Sequence, residues 1–512
     1  MSGAGEQLRP ELAELRERLA RTEDEARREA RERRHARGQR TARENLADLV
    51  DPDSFVEYGQ LAVAAQRNRR DYLELQSATA ADGVITGIGT INAGAVPAQA
   101  ARAAVAIYDY SVLAGTQGFY HHQKLDRLFD LAGRESLPVV MFTEGGGGRP
   151  GDTDVSTQVA GLSVPTFARW AALRGRSLRV AVNSGFCFAG NAALFGCADI
   201  SIATRASWIG MAGPAMIEGG GLGVHEPTAI GPAHTQARNG VIDILAEDEA
   251  GATQSARHVL GMFQGCLPAG EAPAQQVLRE LIPPDRRFPY DVRAVIRTLA
   301  DAGSWIELGQ DWAKAMVTGF LRIAGRPVAL LANDCRVLGG AIDAAAADKA
   351  TRFLQLLAAY PLPLVSLIDT PGFMVGPRSE EEAAVRRMPA MFTAGAAIRA
   401  PWLAVVLRRG YGLGAMAMAG GSFARPLWMA SWPTGEFGAM GLEGAVRLGY
   451  RKELDAIADP DERRARFDVL LAQMYTSGKA IEAATQLEID AVIDPATTRA
   501  LLLRALDAAG CP

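Results

Sequence analysis

One pattern of residues occurs twice in the chain, 225 positions apart (349 − 124 = 225 for Lys349 and Lys124). The stretch Gln123–Val140 matches Asp348–Val365 at this spacing, with Lys124, Arg127 and Leu131 on Lys349, Arg352 and Leu356 and with a shared Leu-Pro pair. The matches continue on both sides: Asp109 with Asp334, Leu113 with Leu338, Gly115 with Gly340 and Gly185 with Gly410. Because the spacing is far too long for a solenoid repeat, it predicts two tandem domains of one fold.

A strand followed by a glycine loop lies inside the first copy of this repeat. The stretch Leu137–Gly148 reads LPVVMFTEGGGG, an apolar run that ends in four glycines. Glycine lets a backbone approach another group closely, with no side chain in front of its N–H. At the same spacing the loop Glu144–Gly148 corresponds to Asp369–Phe373. Both copies are therefore predicted to place an accessible turn at the same strand end.

A second glycine-bearing element also occurs in both copies. Val180–Ala193 and Val405–Met418 each read as an apolar strand, a turn of small residues and an alanine-rich helix. The first N–H groups of such a helix have no partner within it, and they carry the positive end of its dipole. Together with the glycine loop they could bind an oxygen that gains negative charge, as an oxyanion hole. Tight packing of helix on strand, without chemistry, is the alternative.

Composition excludes several classes of protein. Apolar residues make up 48% and charged residues 22%, as in ordinary globular proteins. The net charge of −4 does not favour nucleic-acid binding. The chain has no apolar run long enough for a membrane span and no signal peptide, and its five cysteines form no C-x-x-C motif. These features predict a cytoplasmic protein.

The two copies and their surroundings suggest domain boundaries. Leucines 8, 12, 15 and 19 recur at heptad-like spacing and predict an amphipathic N-terminal helix. Thr41 and Glu44 form a capping box at the start of a further helix. The predicted order is an N-terminal helix at 1–40, a first domain at 41–270, a proline-rich linker at 271–290 and a second domain at 291–512. Alternating strands and helices in both domains predict an α/β fold.

Three other motifs carry little weight. Gly146-x-Gly148-x-x-Gly151 matches a dinucleotide fingerprint, but it lies deep in the chain and the second copy lacks it. The spacing of His225, Glu226 and His234 fits no standard set of metal ligands, so we expect no metal site. Ser184 lacks the G-x-S-x-G context of a hydrolase nucleophile.

Three stretches resemble the carboxyltransferase (beta) subunit of biotin-dependent acyl-CoA carboxylases of the acetyl- and propionyl-CoA type. They are Trp208–Gly223, Ala332–Phe353 and Leu367–Pro377, and the resemblance covers about residues 41–505. It implies an α/β fold of two tandem crotonase-like domains, built of ββα units in a superhelix and preceded by a helical extension. It also implies homo-oligomers, either dimers or hexamers formed as trimers of dimers, with active sites between subunits.

The chemistry implied by the resemblance requires two oxyanion holes. Carboxybiotin releases CO2 and leaves charge on its ureido oxygen, while the acyl-CoA becomes an enolate; the biotin nitrogen itself can be the base. By resemblance, Gly146 and Gly147 belong to one hole, and Leu413 and Gly414 to the other. The repeat-related candidates are Ala189, Gly190, Gly372 and Phe373. Which hole serves which substrate remains open.

The chain departs from the family at both motifs. The usual Ser-Gly-Gly-Ala-Arg is Gly145–Arg149 here, and the usual Arg-Lys-Ala-Tyr-Gly-Gly-Ala-Tyr is Arg408–Ala415. Backbone donors survive both changes. The position that discriminates between acyl groups falls on Met416, which is apolar and flexible. The sequence therefore leaves the identity of the acyl-CoA open.

No biotinyl-lysine motif and no ATP-grasp region occur in the sequence. We therefore expect no covalently bound cofactor, and carboxybiotin delivered by a biotin carboxylase and biotin carrier partner. Two alternatives stay open: a biotin-independent decarboxylase of malonyl-type thioesters, and a noncatalytic subunit of a carboxylase complex. An enoyl-CoA hydratase is disfavoured, because Asn191–Ala193 and Met211–Gly213 lack the carboxylates that such enzymes use.

Overall fold

The computed structural model describes residues 9–155 and 161–510. The chain divides into two compact units, Met1–Gln264 and Gly265–Pro512. No helix within these described ranges is long and apolar enough to cross a membrane.

The described part of the first unit contains one seven-stranded sheet, with the strands in chain order across it. Its strands are β1 (Val56–Tyr58), β2 (Val84–Thr90), β3 (Arg102–Tyr108), β4 (Val139–Phe142), β5 (Arg179–Phe188), β6 (Ile200–Gly210) and β7 (Ile244–Ala246). The first three strands pair antiparallel, and β3 to β7 pair parallel. Parallel strands need crossover connections, which here carry helices.

The helices of the first unit cover the sheet and form the N-terminal extension. They are α1 (Pro10–Ala20), α2 (Arg28–His35), α3 (Ala42–Leu49), α4 (Tyr72–Ala78), α5 (Ala98–Ala101), α6 (Phe119–Glu135), α7 (Thr166–Ala172), α8 (Gly190–Gly196), α9 (Pro214–Gly219), α10 (Ala233–Arg238) and α11 (Glu249–Phe263). Helix α6 buries one apolar face, including Leu125, Leu128 and Phe129, in a core with strands β3 and β4. This burial fixes the start of α6 beside the glycine loop.

The second unit repeats the arrangement with an eight-stranded sheet in its described part. Its strands are β8 (Ile306–Leu308), β9 (Met316–Ile323), β10 (Arg326–Asn333), β11 (Leu364–Thr370), β12 (Trp402–Tyr411), β13 (Trp428–Ser431), β14 (Glu436–Gly438) and β15 (Ala491–Val492). Strands β8 to β10 pair antiparallel, and β10 to β13 pair parallel. Strand β14 pairs with β12, and β15 with β13.

The helices of the second unit include counterparts of α3, α6 and α8, and three short helices between β11 and β12. They are α12 (Val292–Leu299), α13 (Ala344–Ala359), α14 (Pro377–Glu381), α15 (Ala384–Arg387), α16 (Ala390–Ala396), α17 (Gly412–Met418), α18 (Leu442–Gly449), α19 (Arg451–Asp455), α20 (Pro460–Ser477), α21 (Ala480–Thr485) and α22 (Thr498–Ala508). The predicted fold class, two tandem crotonase-like α/β domains, is confirmed.

The spacing between the two copies is 225 residues at α6 and α13, and it is smaller at the strand–turn–helix elements that contain α8 and α17. Helices α6 and α13 begin 225 residues apart (344 − 119), whereas α8 and α17 begin 222 apart (412 − 190). Gly145 bridges to Cys187 and Thr370 pairs with Gly410, so Gly410 corresponds to Cys187 and not to Gly185. The assumption of constant spacing at Gly185 was therefore wrong. Connecting loops tolerate changes of length that packed strands do not.

The N-terminal segment forms two helices, α1 and α2, where the leucine pattern predicted one. Leu12 and Leu15 are each 41% exposed, and Leu8 lies outside the described residues. Ionic contacts hold this segment instead, for example between Arg27 and Asp109 at 2.5 Å. The capping box at Thr41 is present, since Thr41 and Glu44 each accept a backbone N–H bond from the other.

The proline-rich segment 271–290 belongs to the second unit. It contains a short 3-10 helix at Gln275–Arg279, and Leu278, Ile282 and Tyr290 are buried in the core of that unit. These three side chains anchor the segment to that core, while most of its other residues are exposed.

Candidate active site

The glycine loop of the first unit, Gly145–Gly148, leaves the end of β4 and is fixed at both ends. The Gly145 N–H donates to the Phe186 carbonyl at 2.7 Å, and Gly148 bridges to Gln117 at the start of α6. Gly147 has φ of +93°, and a Cβ there would stand 2.8 Å from the Ala189 Cβ. Only glycine fits this position, so the loop lies directly against the start of α8.

Both N–H groups predicted for the first hole are already bonded within the unit. The Gly146 N–H donates to the Ala114 carbonyl at 3.0 Å. The Gly147 N–H donates to Asn191 Oδ1, also at 3.0 Å. The Gly148 N–H donates no hydrogen bond within residues 9–155 and 161–510. Gly148 is therefore the loop residue whose donor is available.

Asn191 was missed as a functional residue at the sequence level. Its buried side chain accepts from Gly147, and its Nδ2 donates to the Thr143 carbonyl at 3.1 Å and the Gly115 carbonyl at 3.3 Å. It therefore holds the glycine loop to the turn before α6. The available signal was one polar residue in the first turn of an otherwise apolar helix.

Arg149 anchors the far end of the loop. Its guanidinium is buried, pairs with Asp82 and donates to the Thr116 carbonyl at 2.9 Å. Burial raises the pKa of the Asp82 carboxyl, although the charge of Arg149 opposes the shift. The arginine retained from the family motif thus serves the shape of the loop.

The corresponding turn of the second unit follows β11. Pro371 stands where the first unit has Gly146, and proline has no N–H. The Gly372 N–H donates to Thr370 Oγ1 at 3.1 Å. Phe373 bridges to Ile342 as Gly148 bridges to Gln117, and its N–H makes no hydrogen bond among the described residues. Phe373 and Gly148 are therefore equivalent in place and in their free donor.

The start of α17 lies beside Phe373. A Cβ on Gly414 would stand 2.8 Å from the Phe373 nitrogen and 2.6 Å from the Gly372 carbonyl carbon. Leu413 and Gly414 are in the first turn of this helix, where N–H groups have no partner within the helix. The structure thus brings four of the predicted residues, Gly372, Phe373, Leu413 and Gly414, together in the second unit.

The start of α8 is the corresponding element of the first unit. The Ala189 N–H donates to the Gly210 carbonyl at 3.1 Å, whereas Gly190 is the first helical residue. A Cβ on Gly190 would collide with Gln117 Oε1. Of the two candidates here, Gly190 is the one whose N–H is not bonded within the described ranges.

The strand end before α17 is held by a tyrosine and a carboxylate. The buried Tyr411 donates its hydroxyl hydrogen to Glu436 Oε2 at 2.9 Å, and Arg286 lies 3.4 Å from Glu436 Oε1. Burial and the adjacent carboxylate raise the pKa of Tyr411, so the hydroxyl keeps its proton and remains a donor. This contact fixes where α17 begins.

A cavity of about 530 Å³ opens beside α17 within the second unit. Gly412 and Met416 line one wall, because residues four apart share a helix face. Phe423, Phe437 and Leu487 supply apolar surface to the cavity. The predicted acyl-discriminating position therefore faces a pocket of mixed lining, in which Gln486 and Glu488 stand beside the aromatic and aliphatic side chains.

Comparison with known proteins identifies the family. The sequence profile described as "Carboxyl transferase domain" matches residues 33–510. The chain belongs to the carboxyl transferase family.

Individual similar proteins support this family assignment for the carboxyltransferase. It is 32% identical to the methylmalonyl-CoA carboxyltransferase 12S subunit of Propionibacterium freudenreichii subsp. shermanii, over 91% of this chain and 88% of that protein. The crystal structure of transcarboxylase 12S, described with hexamer assembly and bound methylmalonyl-coenzyme A, superposes with a TM-score of 0.85 at 29% identity, covering 100% of this chain and 96% of the other.

A single-chain, multi-domain long-chain acyl-CoA carboxylase is also similar, with a TM-score of 0.92 and 55% identity over 98% of this chain. The carboxyltransferase spans about half of that protein, 49% of its length. The predicted function, carboxyltransferase of the biotin-dependent acyl-CoA carboxylases, is confirmed over the two alternatives.

Proposed function

We propose that this carboxyltransferase moves CO2 from carboxybiotin to the α-carbon of an acyl-CoA between two backbone oxyanion holes. Carboxybiotin loses CO2, and its ring nitrogen then takes a proton from the α-carbon of the thioester. The resulting enolate carbon attacks CO2, which gives a carboxylated acyl-CoA and biotin. Negative charge passes through the ureido oxygen and the thioester oxygen, so two sets of donors are needed.

The hole of the second unit consists, in this proposal, of the N–H groups of Phe373, Leu413 and Gly414. Its support is the close approach of Gly414 to Phe373 and the absence of hydrogen bonds from these donors within the described residues. Donors placed before the reaction need no reorganisation when charge develops. Gly372 then has a structural role, since its N–H is bonded to Thr370.

For the first unit we assign the hole to the N–H groups of Gly148 and Gly190. Gly146 and Gly147 keep the loop in shape, because their N–H groups are bonded to Ala114 and Asn191. The equivalence of Gly148 with Phe373 supports this revision of the residues chosen from the sequence.

The observation that carries the substrate class is the cavity beside Met416. Its volume of about 530 Å³ falls within the range of about 300–1,000 Å³ usual for small-molecule sites, which are mostly apolar. We propose that the acyl chain of the thioester enters it past Gly412, so that extended, apolar acyl groups are substrates. The similar single-chain enzyme is described as a long-chain acyl-CoA carboxylase.

Carboxybiotin would come from a partner with biotin carboxylase and carrier domains, as in the biotin-dependent relatives. We further propose a cytoplasmic homo-oligomer with active sites between subunits. Exposed apolar side chains, among them Met211, Leu222 and Val224, offer surface for a second copy. The division into two carboxyltransferase domains, near residues 41–270 and 291–512, belongs to the same proposal.

The test is carboxyl transfer in both directions with the purified full chain. We expect carboxylated acyl-CoA to lose its carboxyl group only when free biotin is present, at a rate that depends on acyl length. Mass spectrometry of the thioester and of carboxybiotin follows the reaction. Biotin-independent loss of CO2, or a folded protein inactive with every acyl length from C2 to C16, would overturn the proposal.

A further inference from the structure

A buried arginine of the N-terminal extension lies under the glycine loop of the first unit. Arg34 of α2 donates through Nη1 to Glu144 Oε1 at 3.0 Å, and its Nη2 lies 2.8 Å from Glu144 Oε2. The same Nη2 lies 3.5 Å from Glu249 Oε1 at the start of α11. The side chains of the three residues are only 9%, 10% and 7% exposed. One guanidinium therefore binds two buried carboxyl groups.

Glu144 is joined directly to the glycine loop. It lies between β4 and Gly145, and its backbone carbonyl is so close to Gly115 that a Cβ there would collide with it. Its carboxylate lies against Gly185 of β5, where a Cβ would also collide. Because both ends of the residue are confined, a change in the place of its carboxylate must move the loop.

The rest of the extension converges on the same pair. Arg34 Nε donates to the Arg40 carbonyl at 2.9 Å, and the Arg40 N–H donates to Glu249. Asn45 of α3 donates through Nδ2 to Glu249 Oε1 at 3.3 Å. The segment from α2 to α3 is thus connected by hydrogen bonds to the loop of the candidate site.

In the second unit, the carboxylate at the corresponding position is paired with arginines of the same sheet. Asp369, the counterpart of Glu144, is fully buried and binds Arg408 at 3.1 Å and Arg409 at 2.8 Å, both from β12. Since Gly410 corresponds to Cys187, the place of Arg408 is taken by Gly185 in the first unit. The first unit has no arginine at this place in its own strand, and the cation that pairs with its carboxyl group is Arg34 of α2.

We propose that Arg34 is a positioning residue for the first oxyanion hole. By binding Glu144 and Glu249 together, it sets the start of the Gly145–Gly148 loop and hence the direction of the Gly148 N–H. The N-terminal extension is then part of the catalytic apparatus. The inference concerns the hole assigned above, and in that respect it rests on the proposed function.

The test compares Arg34→Met and Arg34→Lys with Arg43→Met. Arg43 is a matched control, since it forms a similarly buried ion pair with Glu57 at 2.6 Å and does not contact the loop. We expect Arg34→Met to lower kcat for carboxyl transfer by up to about a hundredfold, with KM unchanged, as for a misplaced catalytic group. Arg34→Lys keeps the positive charge but lacks the paired N–H donors of the guanidinium, so its kcat should lie between those of Arg34→Met and the parent.

A second measurement does not depend on activity. Hydrogen–deuterium exchange should be faster in peptides covering 143–149 in both Arg34 variants, and unchanged in peptides covering 369–374. Failure of the proposed function would leave this result intact, because exchange reports the loop alone. If Arg34→Met does not fold, Arg34→Lys provides both measurements. Exchange and kcat equal to those of Arg43→Met would overturn the inference.

Discussion

Gly414 lies against the peptide between Gly372 and Phe373, so that a Cβ at Gly414 would stand 2.8 Å from the Phe373 nitrogen. This approach brings the first turn of α17 to the free N–H at the end of β11. It relates two residues that are far apart in the sequence and places their donors in one site. A hole of this kind is built of backbone N–H groups. A substitution can remove such a donor only if it introduces proline, and it can displace one by introducing a larger side chain.

We predict that Gly414→Pro lowers the rate of carboxyl transfer by about a hundred- to a thousandfold, because one oxyanion donor is worth about 2.7–4 kcal/mol. Proline also brings a Cβ to within 2.6 Å of the Gly372 carbonyl carbon, so the comparison requires that the variant is shown to be folded. Steady-state kinetics with thermal melting tests this. His225→Ala, an exposed position, is the control, and equal rates in the two variants would exclude Gly414 as a donor.

Asn191→Ala should destabilise the protein by about 1–3 kcal/mol per buried group left without a partner. The variant removes the acceptor of Gly147 and the donor to Thr143 and Gly115. Urea unfolding measures the change. The exposed Asn239→Ala should stay within about 0.5 kcal/mol of the parent, and a similar small change at Asn191 would contradict the role assigned to it.

The stability of the first unit should fall as pH rises toward 8. Burial raises the pKa of Glu144 from 4.5 to about 8; the charge of Glu249 adds to this shift and Arg34 opposes it. A raised folded-state pKa means that the stabilising contribution is complete below the unfolded value and is lost as pH rises through the folded value.

Unfolding free energies between pH 5 and 9 test this expectation. Glu144→Gln, which cannot ionise, should have a flatter profile than the parent over the same range. Asp109 is another charged group near Glu144, and its own pKa is lowered, chiefly by Arg27 acting against burial. It therefore stays ionised throughout the range. Identical slopes in Glu144→Gln and the parent would refute the assignment to Glu144.

Filling the cavity beside α17 should change the preference for acyl length. Met416→Trp adds volume at the wall that the acyl chain would pass, so kcat/KM for C16 thioesters should fall at least about tenfold more than for C3. A series of acyl-CoAs assayed at one enzyme concentration measures this. Ile481→Trp, which is exposed on α21 and does not line the cavity, should leave the ratio unchanged. A ratio unaffected by Met416→Trp would place the acyl chain elsewhere.

The internal repeat predicted the two units, and the glycine loops predicted where their turns lie. The particular donors could not be predicted in the same way. Whether the N–H of Gly146, Gly147 or Gly148 is free depends on Ala114 and Asn191, which are distant in sequence and close only in the fold. The family resemblance identified the glycine loop correctly. It did not predict which N–H groups of the loop are already hydrogen-bonded in this chain.

The N-terminal extension shows a second limit. Its leucines predicted a single helix held by apolar contacts, but it breaks after α1 and is held largely by ion pairs. Arg34 is one of many arginines in a charged stretch, and its sequence does not distinguish it from its neighbours. Its role depends on the absence of a side chain at Gly185, which only the paired strands reveal.

Arg408 of the second half corresponds to Gly185 in the first half, where Arg34 supplies the positive charge instead. The two halves therefore differ in whether their buried carboxyl group is paired within the repeat. In the second half the counter-ion, Arg408, lies on the strand next to Asp369. In the first half the counter-ion of Glu144 is Arg34, which lies before the repeat. A shortened chain that starts at Thr41 would keep every strand of the first half and still leave Glu144 and Glu249 without their shared arginine. A cut that preserves the fold of the first half can therefore still remove a charge that its interior needs.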